Sequence, residues 1–375
     1  MKKVGIITIH RIYNYGSVLQ AFALQKVCEV MGYYTEIIDY IFPNEYHKTK
    51  SKKSDYKIKQ VSIKSKILKY LYIIQLFEQH RNIKSFIKKR LHLSSNVYIS
   101  SDDLKEHCQK YDIYITGSDQ LWNPRYTYGD TSFFLDFAPD DSRKIAYAAS
   151  FGSNQIDNRY NEIIRKYLKC YDCLSVRESS GMKIIKSFIQ KEVEVVLDPT
   201  LLLDASEWSK YAVKPKKKEK YILCYFLNYT FDPFPYIDNL AAHISEITGY
   251  HIVRIARPPL KFVNRKTQFV VNASPEEFLG WIQNAELVLT TSFHGTAFAV
   301  NFSVPVFSVI ESKSSLDSRQ LDFLKDIGLE NRILTVDDNF PKRGMLSCDY
   351  KFAQSRLRAM RVSSLNYLKN ALSDE

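Results

Sequence analysis

Apolar and polar positions fall in alternating blocks along the chain. Val4–His10 is a short apolar run that reads as a buried strand, and Arg11–Ser17 follows as a polar turn. Over Val18–Met31, residues Leu19, Phe22, Ala23, Leu24, Val27 and Val30 recur at helical spacing, which predicts an amphipathic helix closed by Gly32. Tyr34–Tyr40 is the next strand. Strand, loop, helix and strand in this order make a βαβ unit, which requires a parallel sheet covered by helices.

The alternation pauses and then resumes. Asp112–Thr116, Lys144–Ala149, Cys173–Val176 and Glu194–Leu197 read as strands, with a helix over Tyr160–Leu168. The Lys/Pro-rich span Lys214–Lys220 has the composition of a connector. A second alternating block places strands at Tyr221–Leu227, Tyr250–Ile255, Leu287–Thr290 and Val306–Ile310. Its helices are Ile237–Thr248, one started by Ser274-Pro275-Glu276-Glu277 and running to Asn284, and one beginning at Thr296. Lys351–Ala371 predicts a last, basic helix. The expected fold class is α/β, two doubly wound domains facing across a cleft. Residues 1–206 form the first and 221–345 the second, joined by 207–220. Residues 346–375 form a helix expected to pack back on the first domain.

Composition changes little in this picture. With 375 residues, 45% of them hydrophobic, the chain has ample material for a core, and 12 Gly and 12 Pro exclude repetitive low-complexity architectures. No apolar run approaches the roughly 18–20 residues of a membrane-spanning helix. The N-terminal apolar stretch contains Gly5 and is too short for an export signal. Six cysteines are too sparse for a disulfide framework, so the expected compartment is the cytoplasm.

Charge changes it more. Between Lys48 and Arg90 stand fourteen Lys/Arg against Asp55 and Glu78, so this stretch alone carries the chain's net +12. Ile67, Leu68, Leu71, Ile74, Leu76, Phe77 and Ile83 recur within it near helical spacing. Such a basic amphipathic insert fits a solvated helical excursion from the first domain, or an anionic membrane surface at the inner face of the plasma membrane. Nucleic acid is not the expected partner, since no Cys/His finger or aromatic RNA-binding motif accompanies the charge.

In open α/β sheets ligands sit at the carboxyl ends of the strands. The residues there are Asn14 and Gly16, Ser118 and Asp119, Arg177, and Ser292-Phe293-His294-Gly295. His294 precedes a helix and can exchange protons near neutral pH, or serve as a hydrogen-bonded structural residue. Arg177 can fix an anion, or pair with a neighbour such as Glu178. Lys313 and Arg319 follow a strand of the second block and can face the same cleft, or be solvated. No Gly-x-Gly-x-x-Gly, phosphate loop, Gly-x-Ser-x-Gly elbow or metal-ligand spacing is present.

Several segments, taken in order, resemble a known family. They are Gly5-Ile6-Ile7-Thr8, Asn14–Gln25, Gly117-Ser118-Asp119-Gln120-Leu121-Trp122-Asn123, Phe134–Phe137 and Lys144–Gly152. Ser175-Val176-Arg177-Glu178, Leu197-Asp198-Pro199-Thr200, Thr291–Gly295 and Val304-Pro305-Val306 continue the series. Their order and spacing are similar to the polysaccharide pyruvyl transferases. That resemblance implies a GT-B-like pair of Rossmann-like domains and transfer of the enolpyruvyl-derived group of phosphoenolpyruvate to a sugar, with no cofactor and no metal. The acceptor is a cell-surface polysaccharide or its lipid-linked oligosaccharide precursor. His294 is the implied catalytic residue. Arg177, Lys313, Arg319, Ser292 and Gly295 are the implied donor-binding residues, Lys313 and Arg319 competing for one role. Asn14, Gly16, Ser118 and Asp119, at the strand ends, are expected as acceptor-binding or cleft residues. Two alternatives stay open: a GT-B glycosyltransferase using a nucleotide-sugar, and a non-catalytic scaffold in a polysaccharide assembly complex.

Overall fold

A computed structural model of the chain describes residues 1–42, 63–227, 230–255 and 267–373, apart from the side chains of 63–73. Two sheets organise it. The first is built from β1 (Lys3–Ile7), α1 (Tyr15–Val30), β2 (Tyr34–Tyr40), α2 (Ile63–Arg90), β3 (Leu93–Tyr98), α3 (Ser101–His107) and β4 (Ile113–Thr116). It continues through α4 (Pro124–Thr127), β5 (Arg143–Ala149), α5 (Asn161–Leu168), β6 (Cys173–Val176), α6 (Ser179–Phe188) and β7 (Glu194–Val195).

After α7 (Ala205–Ser209) the second sheet begins with β8 (Tyr221–Tyr225), α8 (Tyr236–Thr248), β9 (His251–Arg254) and β10 (Thr267–Phe269). It ends with α9 (Pro275–Gln283), β11 (Leu287–Thr290), α10 (Phe293–Asn301), β12 (Val306–Ile310), α11 (Arg319–Asp326), β13 (Ile333–Thr335) and α12 (Lys351–Leu372). The strand orders are β3-β2-β1-β4-β5-β6-β7 and β10-β9-β8-β11-β12-β13. The described pairings are parallel. In each sheet the winding reverses, between β1 and β4 and between β8 and β11, and such reversals open a crevice at the strands' carboxyl ends. The fold is α/β with two Rossmann-like sheets.

Several local expectations shift. β1 stops at Ile7 rather than His10, because His10 turns its ring to the Thr8 carbonyl at 3.1 Å and to Asp39 at 3.0 Å. The first helix is buried nearly all round instead of amphipathic, since it lies between the first sheet, α2 and the second half of the chain. Its buried Gln20 is satisfied by Thr8 Oγ1 at 2.8 Å and the Ser17 carbonyl at 2.9 Å, which is what makes burial of an amide tolerable.

The two sheets share one apolar core below the cleft. Trp208 is fully buried between Phe22 of α1 and Phe298 of α10, with ring centroids 5.9 and 5.1 Å away. The start of the span read as a linker is therefore a wedge between the halves. α12 begins on the second half, where the Tyr350 hydroxyl donates to the Val304 carbonyl at 2.6 Å. It ends on the first, with the Tyr367 hydroxyl 3.1 Å from the Ala146 carbonyl.

The basic insert is only partly a surface excursion. Residues 48–62 lie outside the described residues, but Ile83, Phe86 and Ile87 of α2 are core. Gln79 and Asn82 of the same helix donate to the Tyr15 hydroxyl at 2.7 Å and the Asn272 carbonyl at 2.8 Å, so α2 braces both halves. Ile74 and Phe77 remain exposed. Among the described residues no helix is long and apolar enough to cross a membrane.

Candidate active site

The crevices of the two sheets face each other around a cavity of about 350 Å³. Two helix starts define it. α1 is capped by Asn14, whose side chain accepts from the Gly16 and Ser17 amides, and α10 is capped by Ser292, which accepts from the Gly295 amide. Neither helix has an acid in its first turn, so the positive ends of both backbone dipoles are left for another anion.

His294 sits in the first turn of α10 and lines the cavity. Its Nε2 is 3.6 Å from Asp198 Oδ2. Its Nδ1 edge abuts Gly16 so closely that a Cβ there would come within 2.1 Å. Asp198 has no exposed side-chain surface and binds on every side. Oδ2 accepts from Ser118 Oγ at 2.9 Å and Arg177 Nη1 at 2.8 Å, while Oδ1 accepts from the Thr200 amide at 3.0 Å and hydroxyl at 2.7 Å. Burial works to raise this carboxyl, but the facing His294, then Arg177 and Thr200, outweigh it and hold it well below the usual range.

A second carboxylate, Asp119, lines the same cavity. Asp119 adopts a left-handed φ of 85° after β4, a conformation Asp tolerates better than most residues. Ser17 Oγ donates to it at 2.6 Å. Burial again opposes ionisation, and His294, Arg177, the Ser17 bond and Arg319 together keep its carboxyl below the ordinary range.

The expected residues separate into three groups. His294, Ser292, Arg319, Asn14 and Asp119 line the cavity. Gly16, Ser118 and Arg177 back it. The Arg177 side chain is only 1% exposed, and its guanidinium lies 4.6 Å from the Phe293 ring centroid. Its pairing with Glu178 is the looser one, at 3.8 Å. Lys313 and Gly295 lie outside the lining. Lys313 is exposed, and Gly295 packs on β11, where a Cβ would stand 2.5 Å from Thr290 Oγ1. Of the two competing cations, Arg319 is the one in the cavity wall. It is gripped by Asp317 through Nε at 2.7 Å and Nη2 at 2.5 Å.

Asp198, part of the Leu197-Asp198-Pro199-Thr200 segment, follows an expected strand as directly as Arg177 does, so its place at a strand end is the signal that marks it. Asp317, Gln120 and Gln320 also line the cavity, and nothing in local spacing singles them out. Among the described residues no group of three His, Cys, Asp or Glu side chains could hold a metal ion.

A family model of polysaccharide pyruvyl transferases matches residues 14–314, most of the chain. The chain belongs to the polysaccharide pyruvyl transferase family. No curated protein sequence matches it. Among solved structures, the pyruvyl transferase chain is similar to S. aureus MnaA with UDP, at 13% identity over 96% of this chain and 91% of that one, TM-score 0.53. A Listeria monocytogenes protein named for UDP-N-acetylglucosamine 2-epimerase activity shares 10% identity over 99% and 91%, TM-score 0.52. The calicheamicin glycosyltransferase CalG4 shares 13% over 99% and 96%, TM-score 0.46. At these identities, the two matches with TM-scores above 0.5 speak for the fold, a GT-B-like arrangement, and for nothing finer.

Proposed function

We propose that this family member transfers the enolpyruvyl-derived group of phosphoenolpyruvate to a sugar, forming a pyruvate ketal and releasing phosphate. The observation that carries the reading is His294, set between two carboxylates in a cavity that also holds Arg319 and two acid-free helix starts. Phosphoenolpyruvate brings a phosphate and a carboxylate on three carbons. The positive helix starts and the Arg319 cation in the cavity wall suit both groups.

The chemistry follows from the enol phosphate. His294 delivers a proton to the methylene carbon, which becomes a methyl, and positive charge develops on the adjacent carbon. A sugar hydroxyl forms a bond to that carbon and gives up its proton. The carbon–oxygen bond to phosphate then breaks, the pair leaving with the phosphate, and a second hydroxyl closes the ketal. Of the two hydroxyl protons, one restores His294 and one leaves with phosphate. Asp119 and Asp198 keep compensating negative charge beside the imidazolium, and Arg177 adds positive charge from behind it.

The direct test is phosphate release from phosphoenolpyruvate with galactoside, glucoside and N-acetylmannosaminide acceptors, including lipid-linked forms, with products read by mass. Phosphate together with the matching mass gain supports the reading. Thermal stabilisation by a nucleotide-sugar, with none by phosphoenolpyruvate, would overturn it in favour of glycosyl transfer. Within the cavity, Arg319→Gln is expected to raise the KM for phosphoenolpyruvate by about 10–100-fold, the worth of a charged hydrogen bond. Lys313→Gln is expected to leave it unchanged.

The acceptor reading places the enzyme in the cytoplasm, against an anionic membrane that holds lipid-linked sugars. Its support is the basic stretch 48–90, of which Arg81, Lys84, Lys88 and Lys89 are exposed on the helix that also exposes Phe77. Deleting the insert would remove core residues Ile83, Phe86 and Ile87, so the test is substitution. Gln at 81, 84, 88 and 89 should weaken sedimentation with anionic vesicles. Equal binding by both proteins rejects the membrane role of this face.

A further inference from the structure

The proposed reaction uses one nitrogen of His294, and the surroundings of the ring distinguish the two. Nε2 is buried and makes no hydrogen bond. The acceptor it faces is Asp198 Oδ2, 3.6 Å away, just beyond hydrogen-bond reach. Asp198 cannot drift from that position. Ser118 on the β4 side, Arg177 after β6, and the Thr200 amide and hydroxyl hold both its oxygens. Asp198 is itself the residue whose side chain caps the turn Pro199–Leu201, accepting from Thr200. Nδ1 lies on the other side of the ring, toward Gly16 and the start of α1, where Asn14 and Ser17 line the cavity.

We propose that Asp198 is the positioning residue of His294: it orients a proton on Nε2 and leaves Nδ1 as the nitrogen that exchanges protons with substrate. This rests on the reading of His294 as the proton-transfer group. A buried ring N–H with a carboxylate as its facing acceptor carries its proton toward that acceptor, and the opposite nitrogen is then free of hydrogen in the neutral ring. In the imidazolium, Nδ1–H is the proton that is given up, while Nε2–H stays on the Asp198 side. Two carboxylates interact with the ring, Asp198 from a strand end of the first sheet and Asp119 after β4; Arg177 acts on both of them and Arg319 on Asp119. Of these, Asp198 is the one that Nε2 meets at 3.6 Å.

The tautomer is directly readable and needs no acceptor sugar. In full-length protein with ¹⁵N-labelled histidine, two-bond proton–nitrogen spectra distinguish the two neutral forms. The His294 pattern is assigned by its loss in His294→Gln. The expected result is an Nε2–H tautomer in the unliganded wild type, and an Nδ1–H tautomer there overturns the proposal. Because no substrate is present, that outcome is separate from failure of phosphoenolpyruvate to react. The kinetic companion is Asp198→Asn, expected to lower kcat about 100-fold with the KM for phosphoenolpyruvate changed less than threefold, as a lost orienting carboxylate does elsewhere. A folded Asp198→Asn protein with wild-type kcat also overturns it. Should that variant not fold, the wild-type tautomer decides alone.

Discussion

The two helices that open onto the cleft begin alike and part at their second residue. α1 has the cap Asn14, then Tyr15 and Gly16; α10 has the cap Ser292, then Phe293 and His294. Both first residues are buried aromatics, and both first turns lack acids. The second residues meet. Where α10 puts an imidazole, α1 puts a hydrogen atom, and a methyl in its place would stand 2.1 Å from Nδ1. Similar scaffolds on the two sheets thus fit together only because their equivalent positions differ. On the proposed reading, one half supplies the group that moves a proton, and the other supplies the room for it.

The largest effect should come from removing the group itself. His294→Gln keeps a polar side chain of similar reach but cannot cycle a proton, and turnover with phosphoenolpyruvate should fall about 10²–10⁴-fold. Circular dichroism should stay that of the wild type. Unchanged turnover would remove His294 from the chemistry altogether.

Filling the room comes next. A Gly→Ala change inside a helix ordinarily stabilises by up to about 1 kcal/mol. At Gly16 the sign should reverse, because the added carbon meets a ring held in the core rather than a flexible tip. Gly16→Ala is expected to destabilise by about 1–3 kcal/mol, the usual cost of overpacking, and to depress kcat. Combining it with His294→Ala removes the obstacle. The same glycine substitution should then become neutral or stabilising, a coupling visible in a double-mutant unfolding cycle. Additive effects in that cycle would mean that Gly16 matters for some other reason.

This pairing also explains what the sequence does and does not disclose. The apolar spacing places the helix starts at Val18 and Thr296, which are the fourth residues of helices that begin at Tyr15 and Phe293. The first turns hold Gly16 and Ser17, or His294 and Gly295, residue types that read as loop because their value lies in exposed amides and close approach rather than in propensity. The caps Asn14 and Ser292 stand in the sequence, but no apolar periodicity reaches back to them to mark a helix start. Central strands such as Leu287–Thr290 were legible from unbroken apolar runs buried on both faces. Edge strands are legible unevenly: β7 falls within the expected Glu194–Leu197, whereas β3 does not show itself. β3, with the sequence Leu-Ser-Ser-Asn-Val-Tyr and a largely exposed middle, shows neither an apolar run nor a clean alternation. Lys313 and Arg319 could not be separated by spacing, because which of them reaches the cavity depends on where the loop after β12 turns into α11.

The smallest predicted effect tests why both caps are uncharged. Asn14 accepts two amides, at 2.8 and 3.4 Å, and Ser292 one, at 3.3 Å. Replacement by Ala should therefore cost more at Asn14, toward the upper part of the 0.5–2 kcal/mol range expected for lost caps, with about 0.5 kcal/mol at Ser292. Asn14→Asp is the sharper experiment. As a cap, Asp is as good as Asn, and its charge at the helix start adds roughly 0.3–1 kcal/mol through the dipole. Asn14 lines the cavity, however, so the same charge occupies the field that an anionic donor would use. The variant should unfold at a slightly higher temperature and yet show a raised KM for phosphoenolpyruvate, with the rise shrinking as salt screens the added charge. A gain in stability with no change in KM would separate the α1 start from the donor and leave α10 as the helix that holds it.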